Sequence, residues 1–511
     1  MKKVLSLILI LALLTTTVCF ADGHVHFTSS SYSGVTEGTD NYSDDVYKIL
    51  QDKFDFDMEL FMLTGDTGAD KNRMWINSGT MPDFTFWADF DYTEYLSYIE
   101  QGLIKALPDG WEEKYPNLAD EVRATGISEL IKVNGKTYCL PKVIFYAFSP
   151  IDSSVSSACM FYRLDWAKEV GIELGTTCTL EEFLAYVEAV QKLDPLGNGQ
   201  TIGIASATST FSDIIMRLYN VYYKSFQKVD GQYIWGPTKP ETVDGLNKLR
   251  EIYDANLLDR DFYLCNTSDA MNVFCSGRSA ALAYQGQVDH IRAVAKSFRE
   301  GTGVENAYDY VRATTIVNDD GKWHGVKSSN FWAASLFSPS IEDETFDRIL
   351  AIMDYLCTVE GQELINLGIE GKDFSKDAAT GEYTMLREPN ADGSWTTNLE
   401  LYPCTNFFYT LIVLVDSFAF VNPIYDKEAR EQSIDMYLAK LDGVVDEYTN
   451  VEIDFYTSAV KSQYSIPIND VITQTVLDRE NDAADLWNNM IETNRSMWEP
   501  LLDEYNEAFG E

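Results

Sequence analysis

The chain of 511 residues has room for about three domains of ordinary size, so a single small module is excluded. Its 80 acidic and 39 basic residues give a formal net charge of −41, and so acidic a surface repels phosphate backbones and anionic lipid headgroups, which argues against nucleic-acid binding. With 45% hydrophobic and 13% aromatic residues, the chain is too apolar for intrinsic disorder and is expected to fold as a globular protein.

The first residues have the pattern of a secretion signal. A lysine pair precedes an apolar run over residues 4–14, which is shorter than the ~20 residues needed to span a bilayer. Cys19 and Ala21 fit positions −3 and −1 of a cleavage site, so we predict a signal peptide over residues 1–21. The mature protein is then expected to be periplasmic or associated with the cell surface. Cys19 leaves a lipid-anchored lipoprotein open as an alternative.

The hydrophobic pattern that follows alternates between the strand and helix periods. Residues 24–30 and 54–62 alternate apolar with polar side chains, and between them Val46, Ile49 and Leu50 share one helical face. This β-α-β opening predicts an α/β fold of mainly parallel sheets flanked by helices. A further strand is predicted at 82–87, and further helices at 68–78, 92–101, 165–170, 180–193, 241–255, 344–367, 428–446 and 476–508.

The sequence carries few of the groups that catalysis requires. It has four histidines and no HExxH, GxSxG or GxxxxGK[ST] motif, so we predict a protein that is not an enzyme and that uses no cofactor. The eight cysteines include no CxxC pair, and whether any of the seven left after cleavage form disulfides stays open. The segment DPLGNG from Asp194 partly matches a calcium loop, but Leu196 and Ala205 occupy ligand positions, so a simple turn is favoured.

A candidate sugar-binding residue ends the strand predicted at 82–87. Trp87 is followed closely by Asp89, which places an indole and a carboxylate where ligand-binding loops leave the carboxyl ends of parallel strands. The ring can stack on the C–H face of a sugar while the carboxylate accepts hydrogen bonds from its hydroxyls. The alternative, that Trp87 is a core residue, stays open at this point.

Several segments, in a characteristic order, resemble one known family. They are MPDFTFW at 81, VNGKTYCLP at 133, FYRLDWAKEVGI at 161, TLEEF at 179, DPLGNG at 194, FCSGRSAALAY at 274 and YLCTVEGQELINLGIEGKDF at 355. In these segments the sequence is similar to the extracellular solute-binding proteins of family 1, the maltose-binding type, and within it to the LplA-like carbohydrate subgroup. The resemblance implies a two-lobed type II periplasmic-binding fold that closes around a ligand and docks on an ABC transporter.

The resemblance also implies how the chain divides into lobes. The predicted first lobe comprises 22–150 and 328–388, and the predicted second lobe 151–327 and 389–511. The segment from Phe161 would open the second lobe, and the segment from Asn330 would return to the first. Asp165 is expected to cap a helix at the start of the second lobe, with Arg163 as its structural companion.

The ligand-binding residues that the resemblance implies lie in both lobes. They are Tyr32, Trp87 and Asp89 in the first lobe, Ser209, Phe211, Tyr284 and Gln285 in the second, and Trp332 near the return crossing. We therefore predict a monomeric receptor for an ABC importer that binds a carbohydrate, in particular an oligosaccharide, between the lobes and delivers it to membrane permease subunits. Two alternatives stay open: a secreted polysaccharide-degrading enzyme, and a receptor for peptides or cationic small molecules.

Overall fold

Strands and helices alternate along most of the chain. The computed structural model describes residues 23–31, 42–63, 67–88, 90–145, 149, 151, 154–390, 395–411, 418–447 and 450–511. The strands are β1 (Val25–Ser31), β2 (Phe56–Met62), β3 (Phe84–Trp87), β4 (Lys132–Val133), β5 (Lys136–Thr137), β6 (Cys139–Val143), β7 (Ala158–Arg163), β8 (Thr177–Thr179), β9 (Ile202–Ala205), β10 (Phe226–Val229), β11 (Gln232–Trp235), β12 (Ser279–Gln285), β13 (Val311–Val317), β14 (Gly325–Lys327), β15 (Phe331–Phe337), β16 (Phe374–Lys376), β17 (Tyr383–Met385) and β18 (Val444–Glu447). The helices are α1 (Asp45–Phe54), α2 (Gly68–Ser78), α3 (Tyr92–Glu100), α4 (Trp111–Lys114), α5 (Pro116–Ala124), α6 (Leu164–Val170), α7 (Leu180–Leu193), α8 (Thr210–Tyr219), α9 (Pro240–Asp254), α10 (Thr267–Cys275), α11 (Val288–Thr302), α12 (Asp343–Leu356), α13 (Val359–Leu367), α14 (Asn398–Leu401), α15 (Thr405–Thr410), α16 (Lys427–Asp442), α17 (Val451–Asp454), α18 (Ile468–Leu477), α19 (Ala483–Thr493) and α20 (Arg495–Phe509).

Two five-stranded sheets form the centres of two lobes. The first-lobe sheet has the order β2-β1-β3-β15-β6, and the second-lobe sheet has the order β8-β13-β7-β12-β9. In each sheet one strand, β15 or β7, runs antiparallel to both of its neighbours, while the other four share one direction. Each of these two antiparallel strands is the first strand that the chain forms in its sheet after crossing from the other lobe. The predicted α/β fold with mainly parallel sheets is confirmed.

Helices cover both faces of each sheet, so each lobe has a hydrophobic core on each side of its sheet. In the first lobe, α1, α5 and α12 pack on one face of the sheet and α2 with α3 on the other. In the second lobe, the C-terminal helices α18 to α20 join the core that lies under α7 and α9. Trp235 and Trp498 stack there with ring centroids 4.9 Å apart. The capping box of Thr179 and Glu182 begins α7 where the sequence pattern predicted it.

Three predicted helices are interrupted. The segment 344–367 forms α12 and α13, because the Thr358 side chain accepts a hydrogen bond from the backbone N–H of Gly361 and starts a second helix. Helix α16 ends at Asp442 and β18 follows, and the segment 476–508 is divided among α18, α19 and α20. The apolar period continues across such breaks when consecutive helices face one core, so periodicity alone does not locate them.

The cap of α6 differs from its prediction. The N-cap residue is Arg163, and Asp165 lies in the first turn of the helix. The Arg163 guanidinium donates to the Asp165 carboxylate from Nε at 2.9 Å and from Nη2 at 2.5 Å. A carboxylate in the first turn is stabilised by the helix dipole, so Asp165 supports the helix start without capping it.

The segments that cross between the lobes are bonded to each other. The backbone N–H of Ser328 donates to the carbonyl of Ser154 at 2.9 Å. Asn330 exchanges two side-chain hydrogen bonds with the backbone of Phe145, both at 2.9 Å. The ammonium of Lys440 is fully buried and donates to two carbonyls of the first crossing segment, those of Ser156 and Ala158, at 2.6 Å each. These bonds hold the crossings side by side.

The described residues cross between the lobes at three places. β7 begins the second-lobe sheet after the first crossing, and β15 returns the chain to the first-lobe sheet. The side chains of Tyr402, Cys404, Phe407, Phe408 and Leu411 pack in the first-lobe core, beyond the predicted boundary at 388. Second-lobe packing resumes at Ala419. The sequence has no composition change that would have located this crossing.

Several predictions concern the N-terminus and the cysteines. Among the described residues, no helix is both long and apolar enough to cross a membrane. The predicted signal peptide, with Cys19, lies outside the described residues. The seven cysteines from Cys139 to Cys404 are free thiols, and all but Cys265 are buried.

Candidate functional site: the interlobe cleft

A cleft of about 1240 Å³ lies between the two lobes. Phe331 and Trp332 at the start of β15 and Asp91 before α3 form its first-lobe wall. The loop 221–226 and Gln285 at the end of β12 form its second-lobe wall, and the crossing segments close its base. A concave site between two lobes, lined by aromatic rings and a few polar groups, is the usual place for a small-molecule ligand.

Two of the predicted ligand residues line this interlobe cleft. The indole of Trp332 is 55% exposed although the ring packs on Phe86, with centroids 6.2 Å apart. Gln285 is exposed on the opposite wall, where β12 ends. A large exposed aromatic ring facing a polar wall across a cleft is an arrangement that can hold a flat, hydroxylated ligand.

Two other predicted ligand residues are core residues, which corrects their assignment. Trp87 is only 1% exposed and lies between Phe90 and Tyr98, with ring centroids 5.1 and 5.9 Å away. Phe211 is likewise buried, in the second-lobe core. All four residues of β3 are buried because helices cover both faces of the sheet, so Trp87 ends a strand without reaching the cleft.

The remaining predicted ligand residues either do not line the interlobe cleft or lie outside the described residues. Tyr284 is half-buried and packs edge-on to His290 behind the cleft wall. Ser209 is the N-cap residue of α8 without a side-chain capping bond, and it is not among the cleft-lining residues. Tyr32 and Asp89 lie outside the described residues.

Sequence reasoning missed two polar residues that line the second-lobe wall. The Oε1 atom of Gln287 and the Nδ1 atom of His290 are buried, and neither has a hydrogen-bond partner in the described part of the chain. Burial lowers the pKa of His290, with nearby Asp289 opposing, so its imidazole is neutral at neutral pH. Buried polar atoms without partners are costly, and a hydroxylated ligand could satisfy both. Their position just after β12, at the start of α11, was the available signal.

The lobes also touch directly beside the cleft. Phe455 follows α17 in the second lobe and packs against the first-lobe rings of Tyr92 and Phe90, with centroids 5.0 and 6.1 Å away. The preceding Ile453 belongs to the second-lobe core. Phe455 therefore carries an aromatic contact from one lobe to the other and favours their closed arrangement.

Replacing Phe455 with alanine should open the lobes. Two aromatic contacts of about 1 kcal/mol each would be lost, which shifts the closure equilibrium roughly 10- to 30-fold towards open forms. Small-angle scattering without ligand should show a larger radius of gyration. Tyr456→Ala is the matched control, because Tyr456 packs on Tyr505 and Phe509 within the second lobe. An unchanged radius in Phe455→Ala would contradict the role of this contact.

No group of three or more histidine, cysteine, aspartate or glutamate side chains within the described ranges is placed to hold a metal ion. In the segment that partly resembles a calcium loop, Asp194 accepts hydrogen bonds from the Gly199 backbone N–H at 2.8 Å and from the Thr201 hydroxyl at 2.9 Å. Both carboxylate oxygens thus stabilise the turn itself.

Comparison with solved structures places this architecture among known folds. The alginate-binding protein AlgQ2, in a calcium-free structure, matches with a TM-score of 0.64 at 14% identity, over 96% of this chain and 98% of its own. The substrate-binding protein FusA of Streptococcus pneumoniae, in complex with kestose, matches with a TM-score of 0.65 at 16% identity, over 95% and 96% of the two chains. The chain has the two-lobed fold of ABC-transporter solute-binding proteins. The fold implied by the resemblance is thereby confirmed.

Comparison with known sequences gives weaker matches than comparison with solved structures. No protein-family model matches the chain. Lipoprotein LipO of Bacillus subtilis is 22% identical over 304 residues, and the match spans 57% of each chain. A solute-binding protein of Bifidobacterium longum infantis, described as "HMO binding", shares the fold with a TM-score of 0.59 at 14% identity, over 95% of this chain and 96% of its own.

Proposed function

We propose that this protein is an extracytoplasmic receptor of an ABC importer that binds an oligosaccharide in the interlobe cleft. The observation that carries the proposal is the exposed indole of Trp332 on one wall, opposite Gln285 and the buried polar atoms of Gln287 and His290, which have no hydrogen-bond partner among the described residues, on the other. An aromatic face and a set of separate polar groups suit a ligand with C–H faces and many hydroxyls. The cleft volume exceeds the ~300–1000 Å³ of ordinary ligand pockets, which favours more than one sugar unit.

The structural neighbours support the same ligand class. FusA is described in complex with kestose, AlgQ2 as alginate-binding, and the Bifidobacterium protein as "HMO binding". The proposed partners are the membrane permease subunits of the importer, towards which a closed, ligand-bound receptor would dock. The proposed location is outside the cytoplasmic membrane, in line with the predicted signal peptide and with the lipoprotein relative.

Trp332→Ala should weaken oligosaccharide binding roughly five- to 150-fold, since an aromatic face under a flat ligand contributes about 1–3 kcal/mol. The wild type would be titrated calorimetrically with kestose, chitotriose and trigalacturonate, and the variant with each sugar that binds. The melting temperature without ligand should change little because the indole is exposed. Tyr263→Ala, which removes an exposed ring outside the cleft, is the control and should bind like the wild type. Equal affinities for Trp332→Ala and the wild type would count against the stacking role.

The same titrations separate the proposal from its alternatives. A secreted polysaccharide-degrading enzyme would release shorter products during incubation with these sugars, whereas a receptor returns its ligand unchanged. A receptor for peptides or cationic small molecules would bind oligolysine peptides in place of oligosaccharides. Saturable binding of at least one unaltered oligosaccharide is the expected result.

A further inference from the structure

The charges that line the interlobe cleft differ from those of the whole chain. Over the sequence, acidic residues outnumber basic ones two to one, with 80 against 39. The cleft lining has three permanent cations, Arg217, Lys224 and Lys461, and two carboxylates, Asp91 and Asp454. Basic residues therefore outnumber acidic ones in the cleft lining, where a ligand between the lobes would lie.

Two of these cations already have protein partners. The ammonium of Lys224 lies 2.7 Å from the carboxylate of Asp213. The ammonium of Lys461 donates to the backbone carbonyls of Ile453, Asp454 and Tyr456 at 2.7, 3.0 and 2.8 Å. Their positive charges are thus used to hold the second-lobe wall together.

Arg217 is different. It is half-buried near the end of α8, and its guanidinium makes no hydrogen bond or ion pair with any residue in the described ranges. In a chain with such an excess of carboxylates, a side chain that pairs readily with them would be expected to find one. A guanidinium is always charged and presents a planar fork of N–H donors that matches a carboxylate.

The surroundings of Arg217 add to its positive potential. Burial lowers the pKa of the Lys440 ammonium to about 8, and the positive charge of nearby Arg217 contributes to this lowering. The ammonium of Lys440 donates to the carbonyls of Ser156 and Ala158 at the base of the cleft. Of the two carboxylates of the lining, Asp91 accepts the capping hydrogen bond of α3 in the first lobe, and Asp454 is the last residue of α17.

We propose that the ligand is an acidic oligosaccharide and that Arg217 binds its carboxylate. The inference rests on the proposed function and specifies its ligand class. Trp332 would stack on a sugar ring, and Gln285, Gln287 and His290 would bond its hydroxyls, while the guanidinium of Arg217 pairs with the acid group. The acidic outer surface slows the approach of such a ligand, and the local cation supplies the specificity.

The test compares ligands that differ only in charge. The mature protein would be titrated with trigalacturonate and its fully methyl-esterified form, and with sialyllactose and its methyl ester. We expect each acid to bind more tightly than its neutral counterpart. Arg217→Gln should weaken binding of the acid about 10- to 150-fold, as expected for a lost charged hydrogen bond, and should leave binding of the neutral counterpart unchanged.

Two further variants make the result specific. Arg278→Gln removes the same charge from an exposed arginine outside the cleft and should bind like the wild type. Arg217→Lys keeps the charge but not the planar fork and should have an intermediate affinity for the acid. Melting temperatures confirm that each variant is folded.

The other outcomes are equally clear. Neutral sugars that bind as tightly as the acids would overturn this inference and leave the proposed function intact. Equal losses in Arg217→Gln and Arg278→Gln would show a general charge effect and would also overturn it. If the protein bound none of these sugars and neither kestose nor chitotriose, the proposed function itself would be overturned.

Discussion

Replacing Trp87 with alanine should lower the free energy of unfolding of the first lobe by about 3–5 kcal/mol, the usual cost of removing a large buried aromatic side chain. The ring is 1% exposed and packs against Phe90 and Tyr98, so its loss leaves a cavity that the two covering helices cannot readily fill. Chemical denaturation followed by circular dichroism would measure the change. Ligand affinity of the folded variant should stay close to that of the wild type, because Trp87 does not reach the cleft.

Trp332→Ala provides the matched comparison. It removes the same side chain from an exposed position, so stability should be nearly constant while affinity falls. The two tryptophans thus have opposite expected responses. If Trp87→Ala instead kept its stability and lost affinity, Trp87 would be a ligand platform and not a core residue.

Glu121→Gln should stabilise the first lobe at neutral and alkaline pH. Glu121 lies on the buried face of α5, and its Oε2 atom has no hydrogen-bond partner among the described residues. Burial, with a smaller contribution from nearby Asp120, raises the pKa of this carboxyl to about 8. Below the unfolded value of about 4.5 the group is protonated in both states and has no effect on stability. As pH rises from about 4.5 to about 8, only the unfolded state releases the proton, so the wild type loses stability.

The full penalty in the wild type is on the order of 5 kcal/mol, since one pKa unit corresponds to about 1.4 kcal/mol. The unfolding free energies of Glu121→Gln and the wild type should therefore agree at pH 4.5 and diverge up to pH 8, with the variant more stable. Denaturation at a series of pH values would measure this difference. Glu113→Gln, an exposed glutamate in the neighbouring α4, is the control and should show no such divergence. A constant difference across the pH range would rule out a buried, titrating carboxyl at residue 121.

Local signals in the sequence were sufficient for most of the architecture. The strand and helix periods around α1, and the TLEEF segment that starts α7, depend on residues close together in the chain, and both helices form where the sequence predicts them. The segments from Phe161 and Asn330, which the resemblance places at crossings between the lobes, overlap β7 and β15. These elements can be predicted from the sequence because each signal specifies backbone conformation or burial over only a few residues.

The binding site depended on information that no short segment holds. Trp87 and Trp332 are both tryptophans at strand ends, yet one is enclosed by two helices and the other faces the cleft, since exposure is set by what the opposite layer covers. The residues around Leu411 belong to the first lobe because their apolar side chains fill a core formed by residues from 25–143 and 337–365. Arg217 is an ordinary helix residue in the sequence. Only the three-dimensional arrangement brings α8, α11 and the crossing segments to one cavity, where the guanidinium of Arg217 has no partner among the described residues.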